Sequence, residues 1–289
     1  MRDRVLYQAV YRVLYKIFDP KFIFDSYSSR NFKGTHAGVV RLQKFARQIS
    51  KNYRIPAYAL KCDIKKFFDS IDHEILLNII FKSSKIDENT RWLITKIIKS
   101  FEKTDDKGLP LGNVTSQLFA NIYLNELDQF VKRRLKQKYY IRYCDDFVIL
   151  AKNKEELLNV LLEIKGFLSE RLLLNLHENK VNIRKLQQGI DFLGYVVLPH
   201  RIVLRTKTKR RVYKKIMNLV GLLKAGKISK EDFSSSVQSY LGMLTHCKGE
   251  TVRCNVINIL TPELILFLLF VVSFLVCNKL YRLNELNIF

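Results

Sequence analysis

Apolar positions along this chain change their period several times, and each change marks an element. In residues 1–18 the side chains Tyr7, Tyr11 and Tyr15 recur at helical spacing with Phe18 after them, so a basic, aromatic-studded helix is expected there. Asp19-Pro20 ends it, because proline has no N–H to donate and restricts the residue before it. Residues 25–34 (DSYSSRNFKG) read as loop and a helix follows at about 36–50. A short apolar strand, Tyr58 to Ile64, then runs through Asp63, with helices at about 73–82 and 89–101. Gly108-Leu109-Pro110-Leu111-Gly112 is punctuated as a loop. The next helix starts near Thr115 or Ser116, either of which can cap it, and carries Leu118, Ile122, Leu127, Phe130 and Val131 at helical spacing.

Residues 139–151 (YYIRYCDDFVILA) read as two strands joined at Asp145-Asp146, an acidic dipeptide suited to a turn between β-branched and aromatic flanks. A helix at about 154–172 places Leu157, Leu161, Ile164 and Leu168 on one face. Strands near 181–184, 191–197 and 201–204 lead into two basic helices, about 208–224 and 229–245. From residue 58 to 184 the order is therefore strand, helices, strand, strand, helix, strand. That is the split βαββαβ arrangement, an antiparallel sheet with helices on one face. In it the turn of the middle hairpin lies beside the end of the first strand, so Asp63 meets Asp145 although 82 positions separate them.

Composition adds a partner to this frame. At 289 residues the chain is long enough for one large or two small domains with real cores. Fifty Lys and Arg against 27 Asp and Glu give a net charge of +23, which points to a polyanion such as nucleic acid; a merely basic soluble protein is the plainer alternative. The five cysteines are scattered, without CxxC or zinc spacing, and read as reduced thiols of a cytoplasmic protein. Met1-Arg2-Asp3-Arg4 lacks the apolar core of a signal peptide. Leu264 to Cys277 is an almost unbroken apolar run, shorter than the ~20 residues a spanning helix needs. A membrane tether, a buried terminal helix and a tail foreign to the domain stay open for it.

Carboxylates held on rigid strand ends are what two-metal phosphoryl transfer requires, with hard divalent ions between them. An isolated acidic pair is usually a solvated turn, and Asp105-Asp106 reads as one. Asp63 and Asp145-Asp146 differ because the topology brings them together.

Here the motifs carry a resemblance. Tyr143-Cys144-Asp145-Asp146 matches the YxDD signature of reverse transcriptases, and residues 59–71 (ALKCDIKKFFDSI) resemble their first catalytic motif. Gly108 to Gln117 is similar to their template- and nucleotide-positioning loop, Asn179-Lys180 to the lysine motif, and Phe192-Leu193-Gly194 to the primer grip. The resemblance, to bacterial and phage reverse transcriptases, implies a right-hand polymerase of the α+β class. Partial fingers would occupy 1–57, a βαββαβ palm 58–198, a basic helical thumb 199–256 and the apolar tail 257–289. It also implies further fingers sequence before Met1. Asp63, Asp145 and Asp146 would bind two Mg2+ ions, or Mn2+, with the Ile64 carbonyl assisting. Lys180 would protonate the leaving pyrophosphate, and Phe68 would stand against a ribose 2′-hydroxyl, a plain core ring being the better reading of Phe67. Arg30, Leu111 and Gly112 would meet the nucleotide or template, and Arg205, Lys207, Lys209, Arg210 and Arg211 the template–primer backbone. The partners implied are an RNA template, a DNA or RNA primer, dNTPs and a small basic accessory protein.

Leu111 before Gly112, with Gln117 after Ser116, is a pattern similar to diversity-generating retroelement enzymes, which implies low-fidelity cDNA synthesis. Retron-, group II intron- and phage-defence-type enzymes are the alternatives within the family. A catalytically silent, basic RNA-binding protein is the alternative outside it.

Overall fold

The computed structural model of the chain describes residues 2–82, 86–110 and 112–260. Helix α1 (Arg2–Phe18) ends in a single 3-10 turn, Asp19–Lys21, with Pro20 at its start. Then come α2 (Thr35–Ile49), β1 (Tyr58–Asp63), α3 (Phe67–Ser70), α4 (His73–Phe81), α5 (Glu88–Lys99) and α6 (Val114–Gln129). The hairpin β2 (Tyr140–Tyr143) and β3 (Asp146–Ala151) is followed by α7 (Lys154–Arg171) and β4 (Asn182–Lys185). Three short strands, β5 (Ile190–Phe192), β6 (Tyr195–Val197) and β7 (Ile202–Leu204), precede α8 (Thr206–Lys224), α9 (Lys230–Leu244) and α10 (Glu250–Leu260).

The principal sheet has the order β2-β3-β1-β4 with every neighbouring pair antiparallel. This is the βαββαβ order expected from the sequence. Leu60, Cys62 and Ile64 of the first strand region and Phe147, Ile149 and Ala151 of β3 point into one core with α6 and α7. The expectation of helices on one face only needs correction. Val148 and Leu150, on the opposite side of β3, are also buried, and α2 packs on β2 and β3 with Val39, Leu42, Phe45 and Ala46 buried. The physical reason is visible in Phe147 to Ala151, an unbroken apolar run with no solvent face to offer.

Other local differences have equally local causes. Asn113, not Thr115 or Ser116, caps α6: it is extended (φ −93°, ψ 136°) and its side chain accepts from the Thr115 N–H at 3.3 Å. Helix α6 is buried almost all round and ends in a π-helical turn, Phe130–Arg134. The expected strand 191–197 is two strands, because Leu193 (φ 52°) and Gly194 (φ 85°) take the left-handed conformation of a turn between them. The expected break between 256 and 257 falls inside α10, whose Val252, Val256 and Leu260 are buried.

The chain forms two compact units. Among the described residues, one comprises those up to Leu193 together with Val197–His200; the other comprises Gly194–Val196 and residues 201–260. The first contains no division at 57/58, since α1 packs against α6 and shares its core. The second is a bundle of α8, α9 and α10 closed around Val212, Ile216, Phe233, Val237, Leu241 and Val256. Among the described residues no helix is long and apolar enough to cross a membrane, and the 264–277 run lies outside them.

Candidate active site

Strand register builds the site. Asp63, the last residue of β1, stands directly opposite Asp146, the first of β3, and the Ile64 N–H donates to the Asp145 carbonyl at 3.2 Å. Side chains directly opposite in an antiparallel pair share a face, so Asp63 and Asp146 project together at one end of the sheet. Asp145 lies in the two-residue turn Cys144-Asp145. Cys144 there has φ 53°, a left-handed conformation that costs a non-glycine residue on the order of 1–3 kcal/mol.

The lysine motif is delivered by backbone pairing. The Lys65 N–H donates to Asn175 O and the His177 N–H to Asp63 O, which lays residues 175–177 along the end of β1. Lys180 follows in a short 3-10 turn, Glu178–Lys180, and its Nζ reaches Asp63 Oδ1 at 2.8 Å. Asp63, Asp145, Asp146 and Lys180 are thus brought to one place.

Two further charged residues join them. Lys61 Nζ lies 3.2 Å from Asp146 Oδ2 and 3.8 Å from Asp191 Oδ1. Neither Lys61 nor Asp191 was singled out by motif. Strand period would have found Lys61, since position 61 shares a face with 63 and an ammonium is out of place in so apolar a strand. The carboxylates are not equivalent. Burial raises Asp146 to about 6, against the lowering effect of Lys61 and with smaller upward pushes from Asp63 and Asp145. Burial also raises Asp145, Asp63 adding to it and Lys180 opposing.

The donor chemistry suits hard divalent ions. The set is carboxylate oxygens, and Asp146 Oδ1 is buried without a hydrogen-bond partner. Among the described residues no three acidic, imidazole or thiol side chains are already arranged to enclose a metal ion, the three aspartates included. Magnesium seldom has one, binding instead through one or two carboxylates and completing its shell with water and substrate phosphates.

The remaining predicted residues divide. Phe67 is core and Phe68 is only partly buried, their rings 5.5 Å apart and edge-on, which is the division the sequence suggested. Gly112 adopts φ 85° with open space where a Cβ would stand, so backbone conformation is what requires glycine. Leu111 lies outside the described residues. Phe192 is fully buried, and Leu193 and Gly194 form the turn already described. On α8, Lys207, Arg210 and Arg211 are exposed while Thr208, Val212 and Ile216 face the bundle; Arg205 and Lys209 are half-buried.

Arg30 needs correction. It was expected to reach a triphosphate or template, but its guanidinium is turned inward. It donates to Asp19 Oδ1 (2.7 Å), Ile23 O (2.7 Å), Ser26 O (3.2 Å) and Asp19 O (3.3 Å), clamping the loop instead. A loop arginine with an aspartate eleven positions away carries no signal of that pairing in its local sequence.

Comparison with known proteins supplies the family and the fold. The family profile described as reverse transcriptase (RNA-dependent DNA polymerase) matches residues 1–197. The group II intron-encoded protein LtrA of Lactococcus lactis subsp. cremoris is 26% identical over 306 residues, covering 82% of this chain and 47% of that protein. Protein YkfC of Escherichia coli (strain K12) is 25% identical over 241 residues, covering 70% of this chain and 62% of its own length. The chain therefore spans about half to three-fifths of these curated relatives. Among solved structures, telomerase from Candida tropicalis with a fragment of telomeric RNA is similar at a TM-score of 0.54 and 18% identity, over 93% of this chain and 46% of that one. A truncated apo telomerase from the same organism gives 0.51 and 18%, over 70% and 44%. At such identities the likeness is one of fold, the right-hand polymerase. With the profile spanning more than half of its residues and the YxDD turn set against Asp63, the chain belongs to the reverse transcriptase (RNA-dependent DNA polymerase) family.

Proposed function

We propose that the protein is an RNA-directed DNA polymerase that extends a primer 3′-hydroxyl with dNTPs on an RNA template. The observation that carries this reading is the convergence of Asp63, Asp145 and Asp146 at one sheet end, with Lys180 Nζ 2.8 Å from Asp63. Asp63, Asp145 and Asp146, with the Ile64 carbonyl, would hold two divalent ions, Mg2+ by preference. Bound there, such ions lower the pKa of the primer hydroxyl and neutralise charge on the transferred phosphorus. Lys180 supplies an ammonium beside the reacting phosphates and delivers a proton from Nζ to the leaving pyrophosphate. Phe68 stands against the ribose 2′-position, and Gly112 lets the backbone of its loop approach template and nucleotide. Phe192, Leu193 and Gly194 seat the primer end. Arg205, Lys207, Lys209, Arg210 and Arg211 follow the sugar–phosphate backbone by charge rather than base identity.

Primer extension on an RNA template with magnesium tests the reading. The wild type extends; Asp145→Ala binds the template–primer and does not. Binding without extension by the wild type favours the silent RNA-binding alternative.

The printed name of LtrA, a group II intron-encoded protein, favours an intron-encoded enzyme. Leu111-Gly112 and Ser116-Gln117 favour the diversity-generating kind, with its basic accessory protein. Sequencing cDNA made by the wild type and by Leu111→Gln separates the two: fewer errors opposite template adenine in the variant supports the second, and an unchanged error spectrum removes it.

A further inference from the structure

Among the described residues the largest fully buried side chain is a charged one, and it lies three residues from Asp145. Arg142, in β2, is 0% exposed. A guanidinium has five N–H donors, and each finds an acceptor here. Nε donates to Asp128 Oδ1 (2.8 Å) and Nη2 to Asp128 Oδ2 (2.6 Å). Nη2 also donates to Ser26 Oγ (3.2 Å), and Nη1 to Asn121 Oδ1 (3.3 Å) and to the Cys144 carbonyl (3.0 Å).

The acceptors belong to different parts of the first unit. Asp128 and Asn121 are on α6, Asp128 also accepting from Tyr140 Oη at 2.6 Å and Asn121 donating to Ser28 O at 2.8 Å. Ser26 belongs to the segment before the Arg30 loop, which pairs with Arg142 through its backbone: Arg142 N to Asp25 O and Tyr27 N to Arg142 O. A bidentate bond to Asp128 already neutralises the buried charge. It does not account for the bond to Cys144 O, which falls on the one turn residue whose left-handed φ of 53° leaves it ready to relax.

We propose that Arg142 is a positioning residue for catalysis. Anchored on α6 and on residues 25–28, it grips the Cys144 carbonyl and holds the strained turn so that Asp145 and Asp146 face Asp63. The inference rests on the polymerase reading for its consequence in turnover, and on geometry alone for its consequence in the turn. Lysine at position 142 keeps the charge but, as a single ammonium, cannot span Asp128 and Cys144 O together.

The test compares Arg142→Lys with Tyr140→Phe, which removes a hydrogen bond from the same buried network without touching the turn. Thermal unfolding, single-nucleotide primer extension and amide exchange of Ile64, whose N–H is held by Asp145 O, are measured on the full chain. Arg142→Lys lowers kcat at least tenfold with the dNTP KM within threefold, and the Ile64 amide exchanges at least tenfold faster. Tyr140→Phe lowers Tm but leaves kcat within twofold and Ile64 exchange unchanged. Should Arg142→Lys not fold, Asp128→Asn, which keeps an acceptor and drops the charge, shows the same order of effects at smaller size. Equal kcat for Arg142→Lys and Tyr140→Phe with unchanged Ile64 exchange assigns Arg142 to stability alone and overturns the proposal. A wild type inactive in extension counts against the polymerase reading, and Ile64 exchange then decides this inference by itself.

Discussion

Asp146 opens β3 beside the Cys144-Asp145 turn, and its charge works against the fold. Its carboxyl is raised from 3.8 to about 6, chiefly by burial, even with Lys61 Nζ 3.2 Å away. Between these two values the native state binds more protons than the unfolded chain, so stability falls as pH rises. The stabilisation is complete below the unfolded value and is lost as pH passes through the native one. Asp146→Asn is isosteric and uncharged, and should remove this dependence. At pH 7 and above the variant is expected to gain up to about 3 kcal/mol relative to its position at pH 4, from roughly two pKa units at 1.36 kcal/mol each. Urea unfolding of both proteins from pH 4 to 8, with chelator present, measures it. The difference in unfolding free energy should climb by at most about 1.4 kcal/mol per pH unit and level off near pH 7. Lys61→Met should push the Asp146 carboxyl higher and move the plateau to higher pH. A difference that stays flat across the range, or that grows in favour of the wild type, refutes the reasoning.

Two other outcomes follow from burial and charge. Native alkylation at pH 8 should label exposed Cys254 ahead of Cys62, which is buried and pushed far up, and of partly buried Cys144, which desolvation and the Asp145 charge raise to about 12; peptide mapping checks this, and labelling of Cys144 as early as Cys254 would contradict its raised thiol. Replacing exposed Lys207, Arg210 and Arg211 together by alanine should weaken template–primer binding and flatten the plot of log affinity against log salt by roughly 2–3; an unchanged slope means that this face of α8 does not meet phosphates.

Much of this protein was legible in its sequence, and particular residues show why. The end of α1 at Asp19-Pro20, the strand through Asp63 and the hairpin within 139–151 are set by proline geometry, side-chain period and turn chemistry, although the turn expected at Asp145-Asp146 lies one residue earlier, at Cys144-Asp145. These are short-range causes, and the order of elements they define is enough to place two distant aspartates side by side. Phe67 inward and Phe68 partly outward were likewise foreseeable.

What the tertiary structure decided is where the buried charges go. Arg30, expected to meet nucleotide or template, and Lys61 and Arg142, given no role by the sequence, are each bound to a carboxylate inside the protein. Partners 11, 85 and 14 positions away along the chain are chosen by how helices and strands pack, not by local pattern. A charge taken out of water is tolerated only beside a counter-charge or a full set of acceptors, and packing determines which acceptors are within reach. The sequence by itself determined that aspartates would gather at one end of a sheet; the folded chain determined which lysines hold them and which arginine holds the turn beneath.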